Sequence, residues 1–364
     1  MPSRTDGLAE RLLAWFDRHG RHDLPWQRAR TAYSVWISEI MLQQTQVATV
    51  VPYFERFMRR FPTVAALAAA DLDDVLAHWA GLGYYARGRN LHRAARTIVE
   101  RHAGELPETL DELVNLPGIG RSTAGAILAQ ARGRRAAILD GNVKRVLARY
   151  HAVEGWPGEP AVQRDLWQHA EVHTPHERVA DYTQAIMDLG ATLCTRTRPA
   201  CTVCPLALEC RACRGGTQAK YPAPRPKRAR PQRRMTVLVV HDPEGSVLLE
   251  RRPERGVWGG LYGFPALAAN DDAAQWCERE LGARALRVQR LATIEHAFTH
   301  FDLDIEPLLV TLASEPAAVM DRPDRVWYNA QGETALGMPA PVAALLAALA
   351  DSTAVLHEGT RQIA

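Results

Sequence analysis

Four cysteines crowd into one short segment of this 364-residue chain. They are Cys194, Cys201, Cys204 and Cys210, separated by six, two and five residues. This spacing brings four thiolates into one small loop that is able to wrap a single metal centre. The pattern predicts a 4Fe-4S cluster as cofactor.

A different pairing of the cysteines gives two zinc knuckles, Cys201-x2-Cys204 and Cys210-x2-Cys213. Their separation of five residues is shorter than the roughly 12 to 20 residues usual between zinc half-sites, and the pairing leaves Cys194 unused. Simple burial as apolar cysteines is disfavoured because the segment between them is polar. A cluster held here could be structural, fixing a loop that presents Arg196 and Arg198 to phosphates.

A second pattern that could hold phosphate is Leu116-Pro117-Gly118-Ile119-Gly120, between a helix ending near Leu116 and another beginning at Arg121 or Ser122. The two glycines permit a tight turn whose backbone N–H groups meet an anion at the positive end of the second helix. Arg121 adds a cation. Taken alone, the pattern is more typical of an ordinary helix–helix turn.

A carboxylate, Asp140, follows Gly120 by twenty residues, at a predicted helix start. Asn142, Lys144 and Arg145 stand beside it, so an acid, a phosphate-binding turn and two cations fall within one short stretch. The alternative interpretation of Asp140 is a helix N-cap.

The elements that must position these residues are helical in the first part of the chain. Apolar residues recur at helical spacing from Leu8 to about Ala191. The segment from Lys220 to Arg234 holds seven Lys or Arg, four Pro and no acid, which predicts an extended linker. Beyond it, strand-like runs at 236–240 and 247–249 and a helix near 273–281 predict an α+β domain. We therefore expect domains at 1–215 and 235–350, a linker at 216–234 and a tail at 351–364.

Composition limits the number of domains, the cellular location and the class of partner. With 47% hydrophobic and 23% charged residues, the chain can bury cores for two or three domains. It has no run of about 18 apolar residues, and Met1 to Gly7 are polar, which predicts a cytoplasmic protein without a membrane partner. The net charge of +3 is too small to indicate a nucleic-acid partner by itself. A monomer is expected.

Together these features resemble the helix-hairpin-helix DNA glycosylases, and closely the MutY-type adenine glycosylases, over nearly the whole chain. Besides the cysteines, the resemblance rests on four segments: Ser38 to Val47, Gly81 to Arg87, Leu116 to Ala126, and Leu139 to Arg149. It implies an all-α helix-hairpin-helix core of two lobes with a 4Fe-4S loop, followed by a C-terminal α+β Nudix-like domain. The implied partner is double-stranded DNA with adenine mispaired with 8-oxoguanine or guanine, in the nucleoid.

Breaking the bond between adenine and deoxyribose requires protonation of the base and stabilisation of a cationic sugar. Glu39 has Trp36 three residues before it and Leu42 three after, so an apolar helical face should raise its pKa. The resemblance implies that Glu39 protonates the base and then activates the nucleophile, while ionised Asp140 stabilises or transiently bonds the sugar. Without the resemblance, a Glu in an amphipathic helix is usually a solvated surface residue.

The resemblance also assigns residues around these two acids. Gln44 and Tyr84 are implied to fill the gap left by a flipped base. The adenine pocket is implied at Trp26, Leu42, Thr45, Ser122 and Gln184, and DNA contacts at Gly118, Gly120, Arg121, Asn142 and Lys144. Relatives that also cut the strand carry a Schiff-base lysine at the position of Ser122. The chain is therefore predicted to be a monofunctional glycosylase of base excision repair, without efficient β-lyase activity.

The C-terminal domain is predicted to read DNA. Aligned from Gly260, the Nudix box has Ala266, Ala274, Gln275 and Arg279 where Mg²⁺-binding or catalytic residues are expected, and only Glu278 matches. The resemblance implies recognition of 8-oxoguanine by Phe298-Thr299-His300, where Thr replaces the family's Ser. The alternative for this tripeptide is an ordinary β-turn.

Two other functions remain open at this point. One is a bifunctional glycosylase for oxidised pyrimidines, which Ser122 and the C-terminal domain disfavour. The other is a DNA-binding or nucleotide-hydrolysing protein in which Glu39 and Asp140 are incidental.

Overall fold

The computed structural model describes residues 7–226, 229–253, 256–298, 300–314, 322, 324–329 and 336–360, without the side chains of 351–360. The chain divides into two compact units between residues 227 and 228. Among the described residues, no helix combines the length and apolar character needed to cross a bilayer.

The described part of the first unit is built from helices, which confirms the prediction from apolar spacing. The helices are α1 (Gly7–His19), α2 (Pro25–Arg28), α3 (Ala32–Leu42), α4 (Val47–Arg60), α5 (Val64–Ala69), α6 (Leu72–Trp79), α7 (Ala86–Arg101), α8 (Leu110–Val114), α9 (Arg121–Arg132), α10 (Gly141–His151), α11 (Pro160–His173), α12 (Val179–Thr192) and α13 (Arg211–Arg214). Short 3-10 turns occur at Cys201–Val203 and Gln218–Lys220.

These helices surround two hydrophobic cores. The first is formed by α2 to α9, with Trp36, Phe57 and Trp79 among its fully buried residues. The second is formed by α1, α10, α11, α12 and the cysteine segment. Helix α9 contributes to both cores, so the segment after the predicted hairpin lies where the two lobes join.

Close packing of α9 depends on a glycine. A Cβ atom at Gly125 would lie 2.4 Å from the carbonyl oxygen of Ala137, far inside van der Waals contact. The absence of a side chain therefore lets the strand-like segment before α10 approach α9. This approach places the start of α10 beside the start of α9.

The second unit is a mixed sheet with a helix on each face. Its elements are β1 (Gln232–His241), β2 (Val247–Arg251), β3 (Tyr262–Gly263), β4 (Ala266–Leu267), α14 (Ala273–Leu281), β5 (Ala285–Arg290), β6 (Ile294–Ala297), β7 (Asp302–Leu312), β8 (Arg325–Tyr328) and α15 (Ala340–Thr360). The order is β3-β2-β1-β7-β5, with β4 on β1, β6 on β7 and β8 on β2. Strands β1 and β7 are parallel, and the other pairs are antiparallel.

Alternation along β1 separates the two faces of this sheet. Leu238 and Val240 pack with α14, whereas Val237 and Val239 pack with α15. The predicted strand runs and the predicted helix at 273–281 are confirmed.

Two segments differ from the sequence prediction at their ends. Strand β1 begins at Gln232, inside the predicted linker, because parallel pairing with β7 starts at Gln232 and Asp302. The Gln232 amide also donates to the Asp304 carboxylate at 3.0 Å. Helix α15 continues to Thr360, past the predicted domain end at 350. Composition does not show which strand a segment pairs with or at which residue a helix ends.

Candidate active site

Glu39 lies on α3, a helix that is buried around most of its circumference. Its neighbours Trp36 and Ile40 are buried, and Leu42 is half-buried. The Gln130 amide of α9 donates a hydrogen bond to Glu39 Oε1 at 3.4 Å. Burial, and then the charge of Asp140, raise the pKa of Glu39 to about 8, and the Gln130 hydrogen bond opposes this shift. Near neutral pH, Glu39 therefore holds a proton.

Asp140 is the N-cap of α10, so the helix-cap interpretation is correct for its local structure. Its Oδ1 accepts a hydrogen bond from the Val143 amide at 2.8 Å. Burial raises the pKa of Asp140 above its ordinary value. Backbone hydrogen bonds from Val143 and Asn142 and the charges of Arg145 and Lys144 oppose this shift without cancelling it. The side chain of Asp140 therefore supplies both the helix cap and a carboxyl group for the site.

The two carboxyl groups interact, because the Asp140 charge contributes to the raised pKa of Glu39. Asp140 receives amide hydrogen bonds at the positive end of a helix, whereas Glu39 receives one long bond from a neutral amide. A proton shared by the pair therefore resides on Glu39. The arrangement provides two interacting carboxyl groups in different environments, of which Glu39 is the one suited to act as an acid.

The hairpin has the predicted boundaries, with α8 ending at Val114 and α9 starting at Arg121. Gly118 adopts φ +79°, a conformation that glycine tolerates best. Gly120 is the N-cap of α9 and makes no side-chain cap, so the first α9 amides remain suited to an anion. Ser122 Oγ accepts a hydrogen bond from the Leu139 amide at 3.0 Å, which places Ser122 next to Asp140 in space.

Among the predicted DNA-binding side chains, Arg121 and Asn142 have hydrogen-bond partners within the protein. The Arg121 guanidinium lies 4.0 Å over the Trp167 ring and donates to Glu171 at 2.7 Å. Asn142 Oδ1 accepts from Arg145 at 2.8 Å. Arg121 would have to exchange the Glu171 contact for a phosphate on binding DNA.

Gln44 and Tyr84, the predicted gap-filling residues, occupy two loops that Arg87 joins. Both are exposed and have left-handed φ values, 59° and 49°. The Arg87 guanidinium donates to the carbonyls of Ile40 and Met41 at the end of α3. It also donates to the carbonyls of Gln43 in the first loop and Leu82 in the second. Burial lowers the pKa of Arg87 to about 10. Motif matching did not assign Arg87 a role, although it ends the Gly81 to Arg87 segment.

The predicted pocket residues are not equally suited to contact a base. Trp26 is buried and packs edge-on against Phe54 at 5.4 Å. Leu42, the last residue of α3, and Thr45, in the loop that follows it, are both half-buried. The Gln184 amide instead donates to the fully buried Asp188 at 2.7 Å, which Arg21 also binds. Gln184 therefore has a structural partner in the second core.

Two buried amides near this region were missed from the sequence. Gln130 contacts Glu39, as described above. Gln27, beside Trp26 on α2, is 9% exposed, and neither of its amide atoms has a hydrogen-bond partner among the described residues. For both Gln130 and Gln27, the only signal in the sequence is a glutamine within a segment predicted to be helical.

The cysteine segment brings its thiols together around the second core, against which Cys194, Cys204 and Cys210 pack. Burial is the main cause of the raised pKa of Cys204, and the charges of Cys194, Cys201 and Cys210 raise it further. Within the described chain, no three sulfurs lie within 4.8 Å of one another. Cys204 interacts electrostatically with the other three cysteines of the predicted set, so the four thiols converge in this segment.

Arg149 organises the loop that carries these cysteines. It is 3% exposed and donates to Cys194 Sγ at 3.3 Å and to the carbonyls of Thr195, Arg196, Gln218 and Tyr221. Arg196 and Arg198 are exposed on the same loop, as the sequence predicted. A buried cation next to thiolates stabilises their ionised form.

In the second unit, aromatic side chains surround the predicted lesion-reading segment. Phe298 contacts the rings of Trp258, His296 and Phe301, and Trp258 has φ 55°. His300 is exposed, and Thr299 lies outside the described residues. On α14, Glu278 is exposed, whereas Glu280 is paired with Arg325 at 2.9 Å. No cluster of acids suited to Mg²⁺ occurs in the described part of this unit.

Residues 37–171 match the HhH-GPD superfamily base excision DNA repair protein, and residues 236–348 match the NUDIX domain. The chain is 37% identical over 339 residues to the adenine DNA glycosylase of Buchnera aphidicola subsp. Acyrthosiphon pisum, covering 93% of this chain and 96% of that protein. It is 34% identical to the adenine DNA glycosylase of Homo sapiens, covering 87% and 69%. A thermostable thymine-DNA glycosylase shares the fold of the first unit, with a TM-score of 0.51, 24% identity, and coverage of 57% and 95%.

Proposed function

Because the chain belongs to the adenine DNA glycosylase family, we propose that Glu39 and Asp140 are the residues with which it removes adenine from duplex DNA. The observation that carries this assignment is the raised pKa of Glu39 next to the capped carboxylate of Asp140. The substrate is adenine opposite 8-oxoguanine or guanine.

Glu39 acts first as a general acid. Its proton is transferred to a ring nitrogen of the flipped adenine, which makes the base a better leaving group. As the bond to C1′ breaks, the electron pair leaves with the base and positive charge develops on the sugar. Asp140 stabilises this charge, and the Glu39 carboxylate then accepts a proton from the water that attacks C1′.

The hairpin and two loops hold the DNA during this step. Backbone amides at the start of α9 bind a phosphate, with Gly118 and Gly120 permitting its close approach. Lys144 and Arg121 add positive charge, and Gln44 and Tyr84 occupy the space of the flipped base. Trp26, Leu42, Thr45 and Ser122 lie around the adenine. Phe298 and His300 contact the opposite base from the second unit.

Cys194, Cys201, Cys204 and Cys210 would hold a 4Fe-4S cluster, which would supply a rigid covalent anchor for their loop. Arg149 orients the ligand Cys194, and the loop presents Arg196 and Arg198 to the DNA backbone. The support is the convergence of the thiols and their spacing.

Ser122 makes the reaction hydrolytic. Its hydroxyl is held by the Leu139 amide next to Asp140, where a lysine would be placed to attack C1′. Without an amine, no Schiff base forms and the strand is not cleaved by β-elimination.

The test uses duplexes with one adenine opposite 8-oxoguanine, guanine or thymine. Strand breaks are scored with and without hot alkali for the native chain, Glu39→Gln and the exposed control Glu55→Gln. Alkali-dependent breaks opposite 8-oxoguanine and guanine should be lost only in Glu39→Gln. Absence of adenine release from every duplex, with the cluster absorbance intact, would overturn the proposal.

A further inference from the structure

Three histidines converge at the far end of α10 from Asp140. His151 is the last residue of α10, and His169 and His173 are one turn apart on α11. Their ligand nitrogens all lie within 4.8 Å of one another, and no other group of three His, Cys, Asp or Glu does so among the described residues. The cysteine pattern and the proposed active site make no use of these residues.

The three imidazole rings are in direct contact with one another. His151 Nε2 and His173 Nε2 are 2.7 Å apart, and the rings of His151 and His169 are stacked at 3.6 Å. Residues four apart lie on the same face of a helix, an arrangement by which paired histidines bind zinc. A tetrahedral zinc site holds its nitrogen ligands about 3.4 Å apart, so modest side-chain rotation would bring all three onto one ion.

The surroundings of His151 and His169 favour the neutral imidazole, the form that binds a metal ion. Burial, followed by the neighbouring histidines and Arg211, lowers the pKa of His151 to about 3. Asp165 Oδ1 lies 3.5 Å from His169 Nε2 and contributes a negative charge that offsets the exposed Arg211. His173 is buried, whereas His151 and His169 are half-buried, so the group reaches the protein surface through these two residues.

The geometry points to a binding site for a borderline divalent transition metal, such as Zn²⁺, formed by His151, His169 and His173 and separate from the cysteine loop. Three protein ligands leave the fourth position for water. The ion joins the end of α10 to α11, and α11 also carries Glu171 and Trp167, the partners of Arg121. The site therefore links the two helices that position the active site and the hairpin cation.

The test is a calorimetric titration of tag-free, cluster-loaded protein with Zn²⁺, beside His169→Gln, His173→Gln and the exposed control His176→Gln. One ion per chain is expected. Loss of a direct ligand should weaken affinity by more than about a hundredfold, since even indirect partners of a metal contribute 10 to 100-fold. Zn²⁺ should raise the Tm of the native chain and of His176→Gln but not of His169→Gln.

Co²⁺ identifies the ligands independently. Nitrogen ligation gives weak visible bands, whereas binding at cysteines adds intense thiolate charge-transfer absorption. His169→Gln, at a half-exposed position, separates ligand loss from misfolding of the buried His173 variant. Equal Zn²⁺ affinity in His169→Gln and the native chain, thiolate bands, or absence of binding would each identify the group as a hydrogen-bonded histidine stack and overturn the inference. Adenine release does not enter these measurements.

Discussion

The Gln130 amide donates to Glu39 Oε1 over 3.4 Å, linking α9 to the acid on α3. This bond favours the ionised carboxylate and so opposes the effect of burial on the pKa of Glu39. The proton available for catalysis therefore depends on a neutral side chain that has no direct part in the chemistry.

The rate of base release should fall as pH rises through about 8, because Glu39 loses its proton there. Gln130→Met removes the hydrogen bond at similar volume, which raises the pKa of Glu39 and moves this alkaline limb to higher pH. Single-turnover rates across pH 6 to about 10 measure the shift. An alkaline limb at unchanged pH in Gln130→Met would show that another group controls it.

Glu39 should also lower stability at alkaline pH. Its folded pKa, about 8, is above the ordinary 4.5, so its favourable contribution is present below 4.5 and lost as pH rises through 8. Glu39→Gln removes the ionisable group. Urea unfolding at pH about 9 should show the variant to be more stable than the native chain by a few kcal/mol, with the difference reduced at pH about 5. Equal pH dependence in both proteins would contradict the raised pKa.

Substitutions of Asp140 separate its role as the N-cap of α10 from the role of its charge. Asn is also a good N-cap, so Asp140→Asn should keep the fold while base release falls by about 100-fold or more. Asp140→Ala should also lose about 1 kcal/mol of stability with the cap. Thermal unfolding and single-turnover excision provide the two readouts. Normal excision by Asp140→Asn would show that the charge is dispensable.

Ser122→Lys should introduce strand cleavage. The new side chain would start beside the Leu139 amide, which Ser122 Oγ now contacts, and would carry an amine into the region of Asp140. Borohydride should then trap a covalent protein–DNA adduct that the native chain does not form. Ser122→Ala, which loses the same hydroxyl without gaining an amine, is the control. A trapped adduct with Ser122→Ala would point to a different nucleophile.

The two hairpin glycines should respond differently to alanine. At Gly118, φ is +79° and a Cβ atom would lie 2.8 Å from Asn90 Cβ, whereas nothing lies within 4 Å at Gly120. Gly118→Ala should therefore lower stability by about 1–3 kcal/mol and weaken DNA binding, and Gly120→Ala should change stability by less than about 1 kcal/mol. Thermal unfolding and fluorescence anisotropy with duplex DNA test this. Equal effects of the two substitutions would show that backbone strain at Gly118 does not cause the loss of stability.

Local features of the site were predictable from the sequence. An acid followed by glycine after an apolar run indicated the start of α10, and the apolar neighbours of Glu39 indicated a raised pKa. Both properties depend on residues within one helical turn. The glycine pattern likewise gave the start of α9.

Contacts across the fold were not predictable in the same way. Gln130 is 91 residues from Glu39, and Arg149 is 45 residues from Cys194. The convergence of His151 with His169 depends on the crossing of two helices. Periodicity indicates which face of a helix is buried but not which side chain meets it from another element.

The N-cap role of Asp140 has a genetic consequence. A single base change converts an aspartate codon to an asparagine codon, and the altered protein would keep its cap, its abundance and its grip on DNA. Such an allele would pass assays of expression and folding, and only a measurement of base release would reveal it.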